Sequence, residues 1–313
     1  MVRDFRTKPH LKLYARLDAE LTARGAKIRV IRRNKDLMRP GNEAARSLDP
    51  NNLHIIEGGA AQGSGILNAA ISYIQPFWHL DPKGILARSS IAKQPFDPAT
   101  VNPKAAERTF ARLHRRLVAR RASRYSQQNL PVQNLPEGCI AVFLQAHYPQ
   151  DQGTAHCTTE ELLCAVTQGA NGRPIIAKPH PINDPQPDLD LIARFATQGH
   201  DIRATDANVH DILQSCCATV SFNSAVALEG FLHHKPAILF GQSDFHHAAT
   251  TLYSPADFSA ALETALHTEK DHKAFLHWYF SQCLSTNAPD FTAKCIDIFN
   301  QAGFGADRLG LTG

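Results

Sequence analysis

The run Ile175-Ile176-Ala177 stops on Lys178-Pro179-His180-Pro181, a cation and an imidazole set between prolines. Proline fixes its own φ and pushes the preceding residue out of the helical region. Lys178 and His180 are therefore both held extended, and the stretch is a stiff tip carrying two hydrogen-bond donors, suited to an anion. About forty residues on, Ser221-Phe222-Asn223-Ser224 ends a second apolar run and opens a helical pattern. Gly241-Gln242-Ser243-Asp244 ends a third. Backbone N–H groups and the positive dipole end at a helix start favour phosphate, and Ser221, Asn223 and Ser224 would add side-chain donors. Glu229 follows Ser224 by five positions, about a turn and a half into that helix. A carboxylate there accepts from ribose hydroxyls if its face points at the ligand. Each group also has a structural use: a rigid strand-to-loop turn for Lys178 to Pro181, an ordinary N-cap for the Ser/Asn cluster, and a solvated helix position for Glu229.

These clusters need a scaffold that brings strand ends together. After residue 138, strand and helix patterns alternate: a strand at 139–145, a helix whose Thr158 cap is followed three residues later by Glu161, the strand before Lys178, and a helix from about 188 to 197. Further helix, strand, helix and strand patterns run to Gly241, and two or three helices fill 255–302. Such alternation predicts a parallel sheet with helices on both faces, and ligands of open parallel sheets bind beyond the carboxyl ends of the strands. In the first half, 27–31 and 52–59 read as strands and 65–74 as a helix after the glycine-rich turn 58–65. That turn lacks the G-x-G-x-x-G spacing of a dinucleotide site. Asp81-Pro82-Lys83-Gly84 fits a type I turn. Glu107 to Arg124 reads as a basic helix with Phe110, Leu113 and Leu117 on one stripe.

The Gln-, Asn- and Pro-rich stretch 126–138 reads as a linker and divides the chain into a domain of 1–135 and a domain of 136–313. The first carries 24 Lys+Arg against 10 Asp+Glu and the second 9 against 19. The basic half predicts an anionic partner: phospholipid, acidic glycan or nucleic acid. The last ranks low, because the basic helix has no interleaved aromatic residues for stacking bases. The composition is that of a soluble globular protein, no run suits a membrane span, and the charged N-terminus has no secretory h-region. Seven cysteines without a C-x-x-C pair support neither zinc nor a disulfide framework. A cytoplasmic location is expected.

The ordered set of Lys178-Pro179-His180-Pro181 and the stretch from Ser221 through Glu229 to Gly241 resembles the capsule polysaccharide biosynthesis family, which contains the bacterial β-Kdo transferases. Residues 65–91 also resemble a segment common in that family. The resemblance implies a GT-B-like α/β architecture: two Rossmann-like domains with parallel sheets facing a central cleft, the first on the acceptor side. It implies a glycosyltransferase that takes Kdo or a similar sugar from a CMP-activated donor and passes it to an anionic lipid or glycan at the cytoplasmic face of the inner membrane. His180 and Pro181, with Lys178, would lie at the nucleotide phosphate, Ser221, Asn223 and Ser224 beside it, and Glu229 nearer the ribose. A CMP-sugar carries a single phosphate, so neither metal nor cofactor is expected. Family β-Kdo transferases carry Gln-x-x-x-Asp after the first strand of the second domain. Here Gln145 is present, but position 149 is proline and the acid is Asp151. Asp151 and His147 are rival catalytic bases, and a mobile surface loop is the alternative for both. A non-catalytic synthesis or export partner that keeps nucleotide binding is the competing reading.

Overall fold

The computed structural model describes residues 5, 7–32, 34–39, 43–125, 127 and 131–312. Residues 126 and 128–130 of the expected linker lie outside them. In chain order the structure runs α1 (Lys12–Thr22), β1 (His54–Glu57), β2 (Ile66–Ile71), β3 (Phe77–Asp81) and α2 (Pro103–Leu117). Then come β4 (Cys139–Phe143), α3 (Tyr148–Asp151), α4 (Thr159–Gly169), β5 (Ile175–Lys178), α5 (Gln186–Thr197), β6 (Ile202–Ala204), α6 (Val209–Ser215), β7 (Cys216–Ser221), α7 (Val226–Phe231) and β8 (Ala237–Leu239). The last elements are β9 (Thr250–Thr251), α8 (Phe258–His267), α9 (His272–Gln282), β10 (Leu284–Ser285) and α10 (Phe291–Gln301).

The chain divides into two compact units, 1–94 with 280–313, and 95–279. This differs from the division expected at 135. The stripe of α2 buries Ala106, Phe110, Leu113 and Leu117, and Phe110 stacks on His234 at 5.1 Å, so the arginine-rich helix belongs to the second unit despite its charge. Counted by unit, Lys+Arg against Asp+Glu is 18 to 11 in the first and 15 to 18 in the second.

The second unit is the α/β sheet that the alternation predicts. Its six strands are all parallel in the order β6-β5-β4-β7-β8-β9. The chain runs outward from β4 to β6, returns, and runs outward again from β7 to β9, so the order reverses between β4 and β7. Both faces are covered. Ile140, Val142, Ile175 and Val220 pack with Leu162, Leu163, Phe195 and Leu262 of the helices on one side. Cys139, Ala141, Phe143 and Ile176 pack with Val209, Ile212 and Leu213 of α6 on the other. Alternate residues of β4 enter different cores, which is why the strand reads as one unbroken apolar run. The Thr158 capping box forms, with Glu161 N–H donating to Thr158 Oγ1 at 3.2 Å and Thr158 N–H to Glu161 Oε2 at 2.7 Å.

The first unit holds a mixed sheet, β1-β2-β3-β10, in which only β1 and β2 are parallel. The parallel sheet expected in both halves is therefore found in the second alone. Residues 66–71, expected as helix, are the strand β2 between β1 and β3. Their Leu and Ala are good helix formers, but intrinsic propensity is a small preference that pairing on both edges outweighs. Residues 27–31, expected as strand, have no regular structure, and among the described residues no strand pairs with them. Leu13, Leu17 and Leu21 of α1 pack with Trp78, Leu80, Phe291 and Phe299. Asp81 closes its turn as expected, accepting from Lys83 N–H at 2.7 Å and Ser90 N–H at 2.8 Å.

Candidate functional site

The ladder of the parallel sheet sets its strand ends in register. Phe143 stands opposite Lys178, Val142 opposite Val220, and Ser221 opposite Leu239. Carried two or three residues further, that register aligns His180, Gln145, Asn223 and Gly241 in one row beyond the carboxyl ends of β5, β4, β7 and β8. Gly241 needs to be glycine, because a Cβ there would lie 2.7 Å from Thr154 O.

Gln145 and Asn223 bridge the point where the strand order reverses. Gln145 Nε2 donates to Asn223 Oδ1 at 3.0 Å, and Asn223 N–H donates to Gln145 Oε1 at 3.0 Å. The Asn223 amide then donates to Thr154 Oγ1 at 3.1 Å and to Gln242 O at 2.9 Å. Both donors of that amide are engaged, so Asn223 ties four segments together. Ser221 is buried, and its Oγ accepts from Ser224 N–H at 3.1 Å; Ser224 Oγ accepts from Val226 N–H at 3.3 Å. Both hydroxyls keep their own proton as a donor.

His180 is the clearest donor in the row. Ile182 N–H donates to its Nδ1 at 3.4 Å, so a neutral ring carries its proton on Nε2. Burial and the nearby Arg124 guanidinium both hold its pKa below the ordinary value. A neutral imidazole presenting an N–H is the species expected at neutral pH. Pro181 follows it, exposed. The Lys178 ammonium is turned to its own unit, donating to Asp206 O at 3.0 Å and Ala207 O at 2.8 Å, and burial lowers its pKa.

Glu229 is 2 % exposed. Its Oε1 accepts from Ser123 Oγ at 2.7 Å, and Oε2, without a hydrogen-bond partner, lies 3.5 Å from His210 Nε2. Burial pushes this carboxyl up to about 7, against the opposing effect of the Ser123 bond. Glu229 thus occupies the interior, beside a segment 106 residues away in sequence.

After Gln145 the chain turns through Ala146, whose φ of +48° is in the left-handed region, and enters the short helix α3. His147 is its N-cap and Asp151 its last residue; both side chains are exposed. Pro149, at the position where the family motif has aspartate, is buried. Asp188 is buried at the start of α5 with His147 nearby, its pKa raised by burial and lowered in part by that imidazole.

Sequence reading missed Ser123, Arg124 and Tyr125. The Tyr125 ring meets His180 edge-on at 5.3 Å, and the Arg124 guanidinium lies 5.7 Å from the Tyr125 ring centre. Helix α2 ends at Leu117 rather than Arg124, which frees 118–125 to reach the strand tip. The signal was in the sequence as Arg-Ala-Ser-Arg-Tyr, absorbed there into the basic helix. Among the described residues, no group of three or more His, Cys, Asp or Glu side chains is placed to hold a metal ion.

A doubly wound parallel sheet with polar side chains aligned at its carboxyl edge defines the class. Residues 98–283 match the family model described as capsule polysaccharide biosynthesis protein, and the chain belongs to that family. The match includes the site of the second unit; residues 65–91 lie outside it. None of the curated proteins matches the chain. Among solved structures, the chain is similar to Thermosulfurimonas dismutans KpsC, beta Kdo 2,7 transferase, at 17 % identity over 68 % of this chain and 67 % of that one, with a TM-score of 0.45. It is also similar to the beta Kdo 2,4 transferase of the same KpsC, at 13 % identity over 68 % and 71 % with a TM-score of 0.44. A third is Anabaena Alr3699/HepE in complex with UDP-glucose, at 11 % identity over 66 % and 54 % with a TM-score of 0.35.

Proposed function

We propose that this protein is a glycosyltransferase of capsule polysaccharide synthesis that binds a CMP-activated sugar, Kdo or a similar acid sugar, on the unit 95–279. The observation that carries the reading is His180. It is a neutral ring with its N–H on Nε2, held at the carboxyl edge of the sheet beside the point where strand order reverses, where such sheets take nucleotides. His180 and the hydroxyls of Ser221 and Ser224 would donate to the phosphate and to the charge that grows on it as CMP departs. The acceptor oxygen bonds to the anomeric carbon while the bond from that carbon to the phosphate oxygen breaks. The acceptor proton passes to His147 or Asp151, and CMP leaves with the bonding pair. The acceptor is a lipid or glycan bearing negative charge, a reading supported by the exposed arginines of α2.

A thermal-shift panel of CMP, UMP, UDP and GDP tests the donor. Binding to the native state raises the melting temperature by mass action, and CMP should give the largest shift. Loss of a hydrogen bond to a charged group costs about 1.5–3 kcal/mol, so His180→Ala should remove most of the CMP shift. Preference for UDP would reject the donor class. The second reading, nucleotide binding without transfer, is favoured by the buried Pro149 in place of the family's acid; it is supported if CMP binds and no acceptor is ever glycosylated.

A further inference from the structure

Residues 121–123 and 127 are held by four side chains: Asn208, the N-cap of α6, His210 and Asp211 within α6, and Glu229 of α7. Arg121 makes a two-pronged pair with Asp211, Nε to Oδ1 at 3.1 Å and Nη2 to Oδ2 at 2.7 Å. Asn208 Nδ2 donates to Arg121 O at 3.0 Å and to Gln127 O at 2.9 Å. His210 Nε2 bonds Ala122 O at 2.9 Å, and Ser123 donates to Glu229 at 2.7 Å. A carbonyl only accepts, so the His210 proton is on Nε2. Burial keeps that ring neutral, so its Nδ1 accepts from His233 Nε2 at 3.0 Å. Arg121 itself adopts φ +48°, a conformation that a non-glycine residue keeps only when its surroundings enforce it.

What this grip delivers is Arg124 and Tyr125 at His180. The Arg124 side chain is exposed and has no ion-pair or hydrogen-bond partner among the described residues. It is the charged group whose influence reaches His180, and no carboxylate offsets it there. Two donors that disfavour each other's charge, with no acid between them, are an arrangement completed by an anion. Tyr125, half-buried, adds an aromatic wall beside the same imidazole.

We propose that Arg124 and Tyr125 belong to the donor site, Arg124 pairing with the nucleotide phosphate together with His180, and that Ser123 and Glu229 are positioning residues that hold the segment there. This rests on the donor reading above and changes the part of Glu229 within it: the carboxyl holds Ser123 and does not touch ribose.

The test uses the full chain with CMP, cytidine and inorganic phosphate as probes, and NMR titration of the His180 imidazole without ligand. Arg124→Gln should weaken CMP and phosphate about ten- to hundredfold, the size of one bond to a charged group, while cytidine binding stays as in wild type. In the same variant His180 should titrate at higher pH than in wild type, since a neighbouring positive charge has been removed. Ser123→Ala should weaken CMP, and Ser123→Thr should restore it. If Glu229 instead held ribose, Ser123→Ala would leave CMP binding unchanged or tighter. Unchanged CMP affinity in Arg124→Gln overturns the inference and leaves the donor reading standing. A wild type that binds neither CMP nor phosphate overturns both, while an unshifted His180 titration overturns the placement of Arg124 whatever the ligand.

Discussion

Gln145 and Asn223 exchange two hydrogen bonds of 3.0 Å each across the point where the strand order reverses. Each side chain thereby fixes the other's strand end, and Asn223 carries the tie on to Thr154 and Gln242. These bonds fix the strand ends at that point, which lowers the cost of ordering them when a ligand binds. Asn223→Ala takes the acceptor from Gln145 Nε2 and removes three side-chain bonds at once, leaving only the backbone N–H bond to Gln145 Oε1. It should cost about 1–3 kcal/mol, read as a lower urea midpoint with unchanged slope. Asn223→Asp should lose nearly as much, because a carboxylate cannot donate to Thr154 and Gln242. A variant as stable as wild type would show that the tie contributes nothing.

The turn after Gln145 separates two candidate bases. His147 and Asp151 occupy opposite ends of the one-turn helix α3, both open to solvent. Replacing the true base should lower turnover about 10²–10⁴-fold with donor binding nearly intact, so His147→Ala and Asp151→Asn are compared by rate and by CMP affinity. Normal turnover in both variants would move the base elsewhere.

Buried ionisable groups give the protein opposing pH dependences. Burial lowers His79 to about 3 and lowers His233 and His272 each to about 4, from 6.5. The unfolded chain takes those protons first, so this stability is complete above about 6.5 and is lost as pH falls towards 4. Glu229 runs the other way. Raised from 4.5 to about 7 by burial, it contributes stability that is complete below about 4.5 and lost as pH rises through 7. Glu229→Gln keeps an acceptor for Ser123 and removes the titration. Its stability relative to wild type should therefore rise by about 3 kcal/mol between pH 4.5 and pH 8. Urea unfolding at the two pH values measures this, and a difference independent of pH would place the Glu229 titration outside that range.

What was legible in the sequence was local. The unbroken apolar runs of β4 and β5, the Thr158 capping box and the proline-locked His180 depend on neighbours a few residues away, and the structure has them. Glu229 was not legible in this way. Helical spacing placed it a turn and a half past Ser224, but its burial follows from Ser123 arriving from a distant segment. The end of α2 was missed for a related reason. Arg120 and Arg121 are good helix formers, yet the pairing of Arg121 with Asp211 holds the chain in a left-handed turn that propensity does not anticipate. Residues 66–71 misled because a central strand buried on both faces shows no alternation, and its Leu and Ala then read as helix.

The arginines of α2 and of the turn after it divide into two sets. Arg121 is committed to Asp211, and Arg116 is half-buried with its pKa lowered first by burial and then by Arg112. Arg108, Arg112, Arg115 and Arg120 are exposed, the first three at helical spacings of four and three that place them on one face. Opposite lies the stripe packed inside the unit, so the bland reading, a helix docked by Phe110 and Leu113 with solvated arginines, accounts for the fold alone. An anionic bilayer gives the exposed face a further use, since each basic residue near such a surface contributes about 1 kcal/mol. Vesicles of phosphatidylglycerol should sediment the protein at low salt and release it as the screening length shrinks towards about 8 Å at physiological ionic strength. Replacing Arg108, Arg112, Arg115 and Arg120 with Gln should abolish the sedimentation and leave CMP binding unchanged, because among the described residues none of the four is bonded to His180, Tyr125 or the residues that hold them. Equal binding to neutral and anionic vesicles, or full retention by the quadruple variant, would return the face to solvent.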